Sequence, residues 1–273
     1  DPNCLNLFEC FAKKTHINSS QKIVSELISE ICDLLNLKPL SINCTLKSSF
    51  LIGAGLGSSA ALCVLLLRGI CGIYNRKISR EEELFYSNIL EKRFHKTPSG
   101  LDTASVAYNK PIHFCKTKGP SPLLISLPQF ENEKQKSNWN FAIIDSELRS
   151  STAQMIQIVR PYFNGSHGDK NLEKCDLIVS LIRNSLKRGY VEGVRQGIKQ
   201  AAITLEEMQV VSSPLSEIIK NCYNCGALAV KTTGSGGGGC LLALLSPGEE
   251  EKERQLQKLR SFFSDKRVFS LNI

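Results

Sequence analysis

The chain has 273 residues, 42% apolar and 22% charged, which excludes a disordered or collagen-like polymer and is long enough for two packed halves of an α/β body. Thirty-four Lys and Arg against 26 Asp and Glu give a net charge of +8, which suits nucleic acid, an acidic surface or a phosphorylated small molecule. The basic residues are dispersed, with no five-residue block and no interleaved aromatic stripe, so nucleic acid is not expected as a partner. The eleven cysteines are odd in number and several lie in apolar helical runs, which points to free thiols in a reducing cytoplasm; Cys222-Tyr-Asn-Cys225 reads as two thiols at a helix end. No stretch reaches the ~20 apolar residues of a membrane span, and Asp1-Pro2-Asn3 has no signal-like character. The first residue is not Met, so a fragment or an unseen preceding segment is expected.

In chain order, Ile23, Leu27, Ile31, Leu34 and Leu35 recur at helical spacing from Ser19 to Leu37 and predict an amphipathic helix. Alternation of Ile42, Cys44, Leu46 and Phe50 predicts a half-buried strand. The loop Gly53-Ala54-Gly55-Leu56-Gly57-Ser58-Ser59 then opens a buried helix through Leu62–Leu67. Glu81 to Phe94 reads as a helix, and Pro98-Ser99-Gly100 breaks the chain before a strand from Pro111 to Cys115. Residues 116–138, rich in Lys, Pro, Ser and Glu, read as a surface excursion. Phe141–Ile144 fits a strand, and helices are expected at Thr152–Tyr162, Leu172–Lys187, with Val179, Ile182 and Leu186 on one face, and Tyr190–Met208. Ala227–Val230 and Cys240–Leu245 predict strands on either side of Thr232–Gly239.

Three segments carry chemistry. A glycine loop that opens a helix aims backbone N–H groups and the positive helix end at one point, an anion site; Ser58 and Ser59 add hydroxyls for phosphate or Mg²⁺. The alternative is a tight turn with no ligand. The loop is neither a Walker A motif nor a dinucleotide fingerprint. In Glu91-Lys-Arg-Phe-His95-Lys96-Thr-Pro-Ser-Gly-Leu-Asp102, two carboxylates flank a turn and can divide labour between metal and substrate hydroxyl; the alternative is a solvated helix carboxylate and a cap. His95 is expected to be structural. The four consecutive glycines within Lys231-Thr-Thr233-Gly234-Ser-Gly236-Gly-Gly-Gly239-Cys240 require close backbone approach to a ligand or to another loop, unless they form a flexible hairpin tip.

In order and spacing, residues 53–61, 95–102 and 231–240 resemble the motifs of the mevalonate kinase family, within the superfamily of galactokinase, homoserine kinase, mevalonate kinase and phosphomevalonate kinase. Glu91–Asp102 and Val210-Val-Ser-Ser-Pro-Leu215 resemble that family in particular. The resemblance implies a two-lobed α+β fold with the active site between an incomplete N-terminal lobe, residues 1–138, and a C-terminal lobe, residues 139–273. It implies a homodimeric cytoplasmic enzyme that phosphorylates mevalonate with ATP and Mg²⁺. Residues Gly53 to Ser59 would cradle the ATP phosphates, Ser58, Ser59 and Glu91 would hold Mg²⁺, and Asp102 would meet the mevalonate hydroxyl. Thr152, in Arg149-Ser-Ser-Thr-Ala, and Thr233, Gly234 and Gly236 are further candidates. A sister kinase of phosphomevalonate or a sugar and a non-catalytic nucleotide-binding fragment are the alternatives. Three departures stand out: Phe50-Leu-Ile-Gly53 lacks the proline usual before the phosphate loop, Lys96 replaces a glycine, and the family's N-terminal Pro-Gly-Lys and Gly-Glu-His segment, with its active-site lysine, is absent. These 273 residues alone are therefore expected to be a poor catalyst.

Overall fold

A computed structural model describes residues 4–7, 19–38, 42, 44–48, 52–115, 123–126 and 139–272. Described residues up to Ile52, together with Gly57–Ser126, form one compact unit. Gly53–Leu56 and the described residues from Trp139 onward form a second.

The first unit contains β1 (Cys4–Leu7), α1 (Ser19–Leu34), β2 (Cys44–Lys47), α2 (Ser58–Ile73), α3 (Arg80–Glu91), α4 (Leu101–Tyr108), β3 (Ile112–Cys115) and β4 (Leu123–Ser126). β1 pairs antiparallel with β2, and β3 with β4. The core is helical: Leu27, Ile28 and Ile31 of α1 pack with Cys63, Leu67 and Ile70 of α2 and Leu90 of α3. The α1 stripe buries Leu27, Ile31 and Leu35 as expected and adds Val24 and Ile28, while Ile23 is 39% exposed. α3 begins with a reciprocal cap, the Ser79 hydroxyl accepting from the Glu82 amide and the Glu82 carboxylate accepting from Ser79. α4 and β1 fall where the sequence patterns predicted no element, and β4 lies inside the expected excursion, the rest of which is outside the described residues. So is Phe50 of the strand expected from Ile42 to Phe50.

The second unit contains β5 (Asn140–Asp145), α5 (Thr152–Asn164), α6 (Gly168–Arg188), α7 (Val191–Glu207), α8 (Ser213–Asn224), β6 (Ala229–Thr232), β7 (Cys240–Leu244), α9 (Glu249–Phe263) and β8 (Val268–Asn272). The four strands form an antiparallel sheet in the order β6-β7-β5-β8. On one face Val230, Leu241, Ala243, Ala142 and Ile144 pack with Leu215 and Ile219 of α8 and Leu256, Leu259 and Phe263 of α9. On the other, Phe141, Ala229 and Leu244 meet Val194 and Ile198 of α7, with Ile182 and Leu186 of α6 against them. A strand covered on both faces has no polar side to alternate with, hence the unbroken apolar run of β5. α6 and α7 pack closely because Gly193 and Gly197 leave room for Ser185 and Ile182; an added Cβ would lie 2.1 and 2.4 Å from those side chains. Ile182 and Leu186 face inward as expected, but Val179 is 46% exposed and Ile178 takes the inward position in its place. Cys32, Cys44, Cys63, Cys71, Cys115, Cys175, Cys222, Cys225 and Cys240 are free thiols. Among the described residues no helix is long and apolar enough to cross a membrane.

The glycine run resolves into a packed junction. Gly236 to Gly239 all have positive φ, and an added Cβ would lie 2.8 Å from Val210, 2.5 Å from Met155, 2.8 Å from the Leu148 carbonyl and 2.6 Å from the Ala54 carbonyl in turn. Gly236 and Gly237 make room for the side chains of Val210 and Met155, and Gly238 and Gly239 for neighbouring backbone, so the run is not an open tip. Gly239→Ala combines a left-handed conformation with a backbone clash and is expected to cost about 2–5 kcal/mol, read as a lower urea midpoint. Gly248→Ala, at φ −78° with its nearest neighbour 3.8 Å away, is expected to stay within about 0.5 kcal/mol of the wild type. Equal losses for the two variants would contradict the assignment of the run as a packed junction.

Candidate active site

In the first unit, the backbone at Gly57 is left-handed, φ 68°, and turns the chain into α2 without supplying a capping side chain. That leaves the first-turn amides of a 16-residue helix at the positive end of its dipole. Ser59 Oγ, in this turn, donates to Glu91 Oε1 at 2.7 Å. One turn further along, Cys63 Sγ donates to Glu91 Oε2 at 3.6 Å. Glu91 ends α3 and is only 2% exposed. His95 stands one turn beyond it, Nε2 3.6 Å from Glu91 Oε1.

Burial raises the Glu91 pKa above the ordinary carboxylate range, against the opposing pull of Ser59, His95 and Cys63. The Cys63 thiol is also pushed up, first by burial and then by the Glu91 charge, so it stays protonated and keeps donating. Asp102 contrasts with Glu91: it lies exposed in the first turn of α4, entered through left-handed Gly100. The Ser99 hydroxyl accepts the Leu101 amide at 3.2 Å to shape that entry. A Cβ added to Gly57 would lie 3.5 Å from Asp102 Cβ and 3.8 Å from Oδ1, so the Asp102 side chain sits beside the start of α2. Ser58, Ser59, Glu91 and Asp102 thus share one neighbourhood, with Cys63 the member that the sequence patterns missed. Its signal was the four-residue spacing from Ser59 on one helix face.

In the second unit, the segment 53–56 docks on the glycine junction. Ala54 is fully buried and its carbonyl accepts the Cys240 amide at 2.9 Å. Gly55 and Gly234 approach closely, an added Cβ on Gly234 falling 3.2 Å from Gly55 Cα. The Thr233 hydroxyl donates to the Cys240 carbonyl at 2.9 Å and also lies against Gly55. The turn after β5 forms a latch on the same junction: Ser146 N donates to Gly239 O at 3.0 Å, Gly239 N to Leu148 O at 2.8 Å, and Ser150 Oγ to Gly236 O at 2.8 Å. Arg149 clamps Asp145 with two bonds of 2.7 and 2.9 Å, while Arg267 donates twice to the Asp145 carbonyl. Burial works to raise the Asp145 pKa, but Arg149, the Glu147 amide and Arg267 outweigh it and hold the carboxyl below its usual range. Ser235 Oγ lies 3.5 Å from Thr152 Oγ1 at the start of α5, which brings the Thr152 candidate to the junction. Asp145, Ser146 and Ser150 went unnoticed in the sequence; an Asp-Ser pair ending an apolar strand with Arg at i+4 was the available signal.

Lys231, the first residue of the glycine motif, is half-buried; its ammonium donates to the Thr232 carbonyl at 2.5 Å, and desolvation lowers its pKa. A surface cavity of about 400 Å³ on α6 and α7, lined by Lys170, Lys174, Leu177 and Gln200, contains none of the candidate residues.

Because burial raises the Glu91 pKa in the folded state, protonation favours the folded chain. That stabilisation is present below the unfolded carboxylate value of 4.5 and is lost as pH rises through the folded value. In EDTA, Glu91→Gln, which keeps this position neutral, is therefore expected to melt higher than wild type at pH 8, with the difference closing toward pH 4.5. A variant that melts lower at pH 8 would show that the ionised carboxylate is a net stabiliser.

Residues 22–110 match the GHMP kinases N terminal domain and residues 184–265 match GHMP kinases C terminal. A mevalonate kinase of Methanocaldococcus jannaschii is 28% identical over 240 residues, covering 85% of this chain and 70% of the relative. A crystal structure of L. major mevalonate kinase in complex with R-mevalonate superposes with a TM-score of 0.77 at 19% identity, covering 96% of this chain and 79% of the other. A Streptococcus pneumoniae phosphomevalonate kinase in complex with phosphomevalonate and AMPPNP gives 0.74 at 15% identity, covering 99% and 89%. At these identities the two superpositions establish the fold. The matches to both family domains, in chain order and together spanning more than half of the sequence, establish that the chain belongs to the GHMP kinases.

Proposed function

We propose that this chain transfers the γ-phosphoryl group of ATP to the hydroxyl of mevalonate, giving 5-phosphomevalonate and ADP. The observation that carries the reading is the pairing of two carboxylates in opposite environments at the start of α2: Glu91, buried and bonded to Ser59, and Asp102, exposed beside Gly57. Carboxylates whose surroundings separate their properties serve different roles. The acceptor is supported by several relatives named mevalonate kinase, at 24–28% identity over most of this chain.

In this reading the backbone of Gly53, Ala54, Gly55, Leu56 and Gly57 and the first turn of α2 at Ser58 and Ser59 cradle the phosphates. Their N–H groups and the helix dipole favour an anion, and glycine admits it closely. Asp102 accepts the proton of the acceptor hydroxyl as its oxygen bonds to the γ-phosphorus and the bond to the β-phosphate oxygen breaks. Thr152, Thr233, Gly234 and Gly236 contribute further substrate contacts.

The donor set fits Mg²⁺. Glu91 and the hydroxyls of Ser58 and Ser59 are hard oxygen ligands, and a buried carboxylate raised in pKa by desolvation gains from a cation beside it. Among the described residues no group of three or more His, Cys, Asp or Glu side chains forms a metal cage. Mg²⁺ bound to a nucleotide needs none, since phosphates and water complete its shell. Bound Mg²⁺ neutralises charge on the transferring group.

The test is ATP-dependent phosphorylation by the full-length protein with mevalonate, phosphomevalonate, galactose and homoserine as acceptors. Mevalonate is expected to give the highest kcat/KM, and a higher value for any other acceptor would overturn the assignment. Asp102→Asn is expected to lower kcat by roughly 10²–10⁴ with ATP affinity near wild type. Retention of more than about a third of kcat would remove Asp102 from the chemistry. Glu91→Gln is expected to raise the Mg²⁺ needed for half-maximal rate, a neutral amide being a poorer ligand for a hard cation; an unchanged Mg²⁺ titration would take Glu91 out of the metal site.

A further inference from the structure

We infer that Glu83, with Arg68 and Arg80, is a positioning group for Asp102 that acts through the far end of α4; the inference rests on the reading of Asp102 given above. The Glu83 side chain is 7% exposed and bonded by two guanidinium groups, Arg68 Nε at 2.5 Å to Oε1 and Arg80 Nη1 to Oε2. Both arginines also donate to a single backbone oxygen, that of Ala107, Arg68 Nη2 at 2.9 Å and Arg80 Nη1 at 2.7 Å. Ala107 lies in the last turn of α4, where helix carbonyls lack intrahelical partners and the dipole end is negative. The Arg80 guanidinium further lies 5.5 Å from the centre of the Tyr108 ring, on the same turn.

Three helices meet at this network, and each carries candidate residues toward its other end. Arg68 belongs to α2, which begins with Ser58 and Ser59; Arg80 and Glu83 belong to α3, which ends in Glu91; Ala107 belongs to α4, whose second residue is Asp102. α4 has eight residues, about 12 Å at 1.5 Å per residue, so a shift at Ala107 carries directly to Asp102. Its buried side chains are Thr103, Ala104 and Ala107, which are small and interlock little with neighbours. The arginine bonds to the Ala107 carbonyl therefore set how far α4 slides along its axis. Without the Glu83 charge, the two guanidinium groups converging on that carbonyl repel one another and the anchor loosens. Misplacement of a reacting group by about 1 Å can cost up to ~10² in rate.

The experiment measures kcat and the KM for ATP with mevalonate for Glu83→Gln, Asp102→Asn and the double variant, in the full-length protein and below all melting midpoints. Glu83→Gln is expected to lower kcat by about 10-fold with the KM for ATP within about twofold, and in the Asp102→Asn background to cost less than about twofold more. A merely structural role would multiply in full on Asp102→Asn. Such a multiplicative loss, or a kcat for Glu83→Gln within about twofold of wild type, would overturn the inference while leaving the reading of Asp102 intact. A wild-type kcat for Asp102→Asn would overturn that reading and the inference with it. Arg80→Met, at a side chain 44% exposed, keeps the pair between Arg68 and Glu83 and removes one bond to Ala107. It is expected to repeat the pattern with a loss of about threefold, and decides by the same criterion if Glu83→Gln does not fold.

Discussion

The bond from the Cys240 amide to the Ala54 carbonyl ties a tetrapeptide from early in the chain to a glycine run near its end. It forms only because Gly239 has no side chain; a Cβ there would lie 2.6 Å from the same carbonyl. Around it gather the turn after β5, held by Ser146 and Ser150, and the segment at Val210, whose carbonyl accepts the Gly237 amide. Glycine runs have a high entropic cost in a folded chain, and here the compensation is a junction of four backbone segments with their polar groups paired to one another. The conformation of Gly53–Leu56, and with it the proposed phosphate cradle, depends on that junction.

The first unit handles charge by contrast of environment. Its two candidate carboxylates lie near the N-terminus of one helix, yet Glu91 is desolvated and held by a hydroxyl and a thiol while Asp102 faces solvent. Glu83, a third carboxylate, is buried too, but with two arginines against it, the ordinary arrangement for a buried charge. Among the described residues Glu91 has no such fixed cationic partner apart from neighbouring His95, whose charge depends on its protonation. A buried carboxylate left in this state is destabilising unless a ligand supplies the missing positive charge, and functional sites are where such costs are tolerated.

The three glycine and acidic motifs were readable in the sequence because each departs from what a plain helix, strand or turn requires. Helices with wide apolar faces and strands buried on both sides were readable as well. α9 was not, because Leu256, Leu259 and Phe263 are scattered among eight charged residues in its fifteen. α4 was hidden by brevity and by its Ala, Ser and Thr content, although it carries Asp102. The inward faces of α1 and α6 were legible except at one position each, Ile23 and Val179, since adjacent apolar positions such as Ile178 and Val179 satisfy the same period until a neighbour selects one. The clamp on Ala107 was beyond reach, and of the latch from Asp145 to Ser150 only the Asp-Ser pair followed by Arg149 was legible, because both rest on side chains bonded to backbone far away in sequence.

Gly53–Ser59 is proposed to receive nucleotide phosphates, with Gly53–Leu56 shaped by the glycine junction. Hydrogen–deuterium exchange of the full-length protein, with and without MgATP, tests it most directly, because the proposed ligand contacts are amide protons. Slowed exchange is expected at residues 53–62 and, through the bonds at Ala54, at residues 232–240, with residues 168–188 of α6 unchanged. Saturating MgATP that leaves both stretches exchanging at their original rates would contradict it.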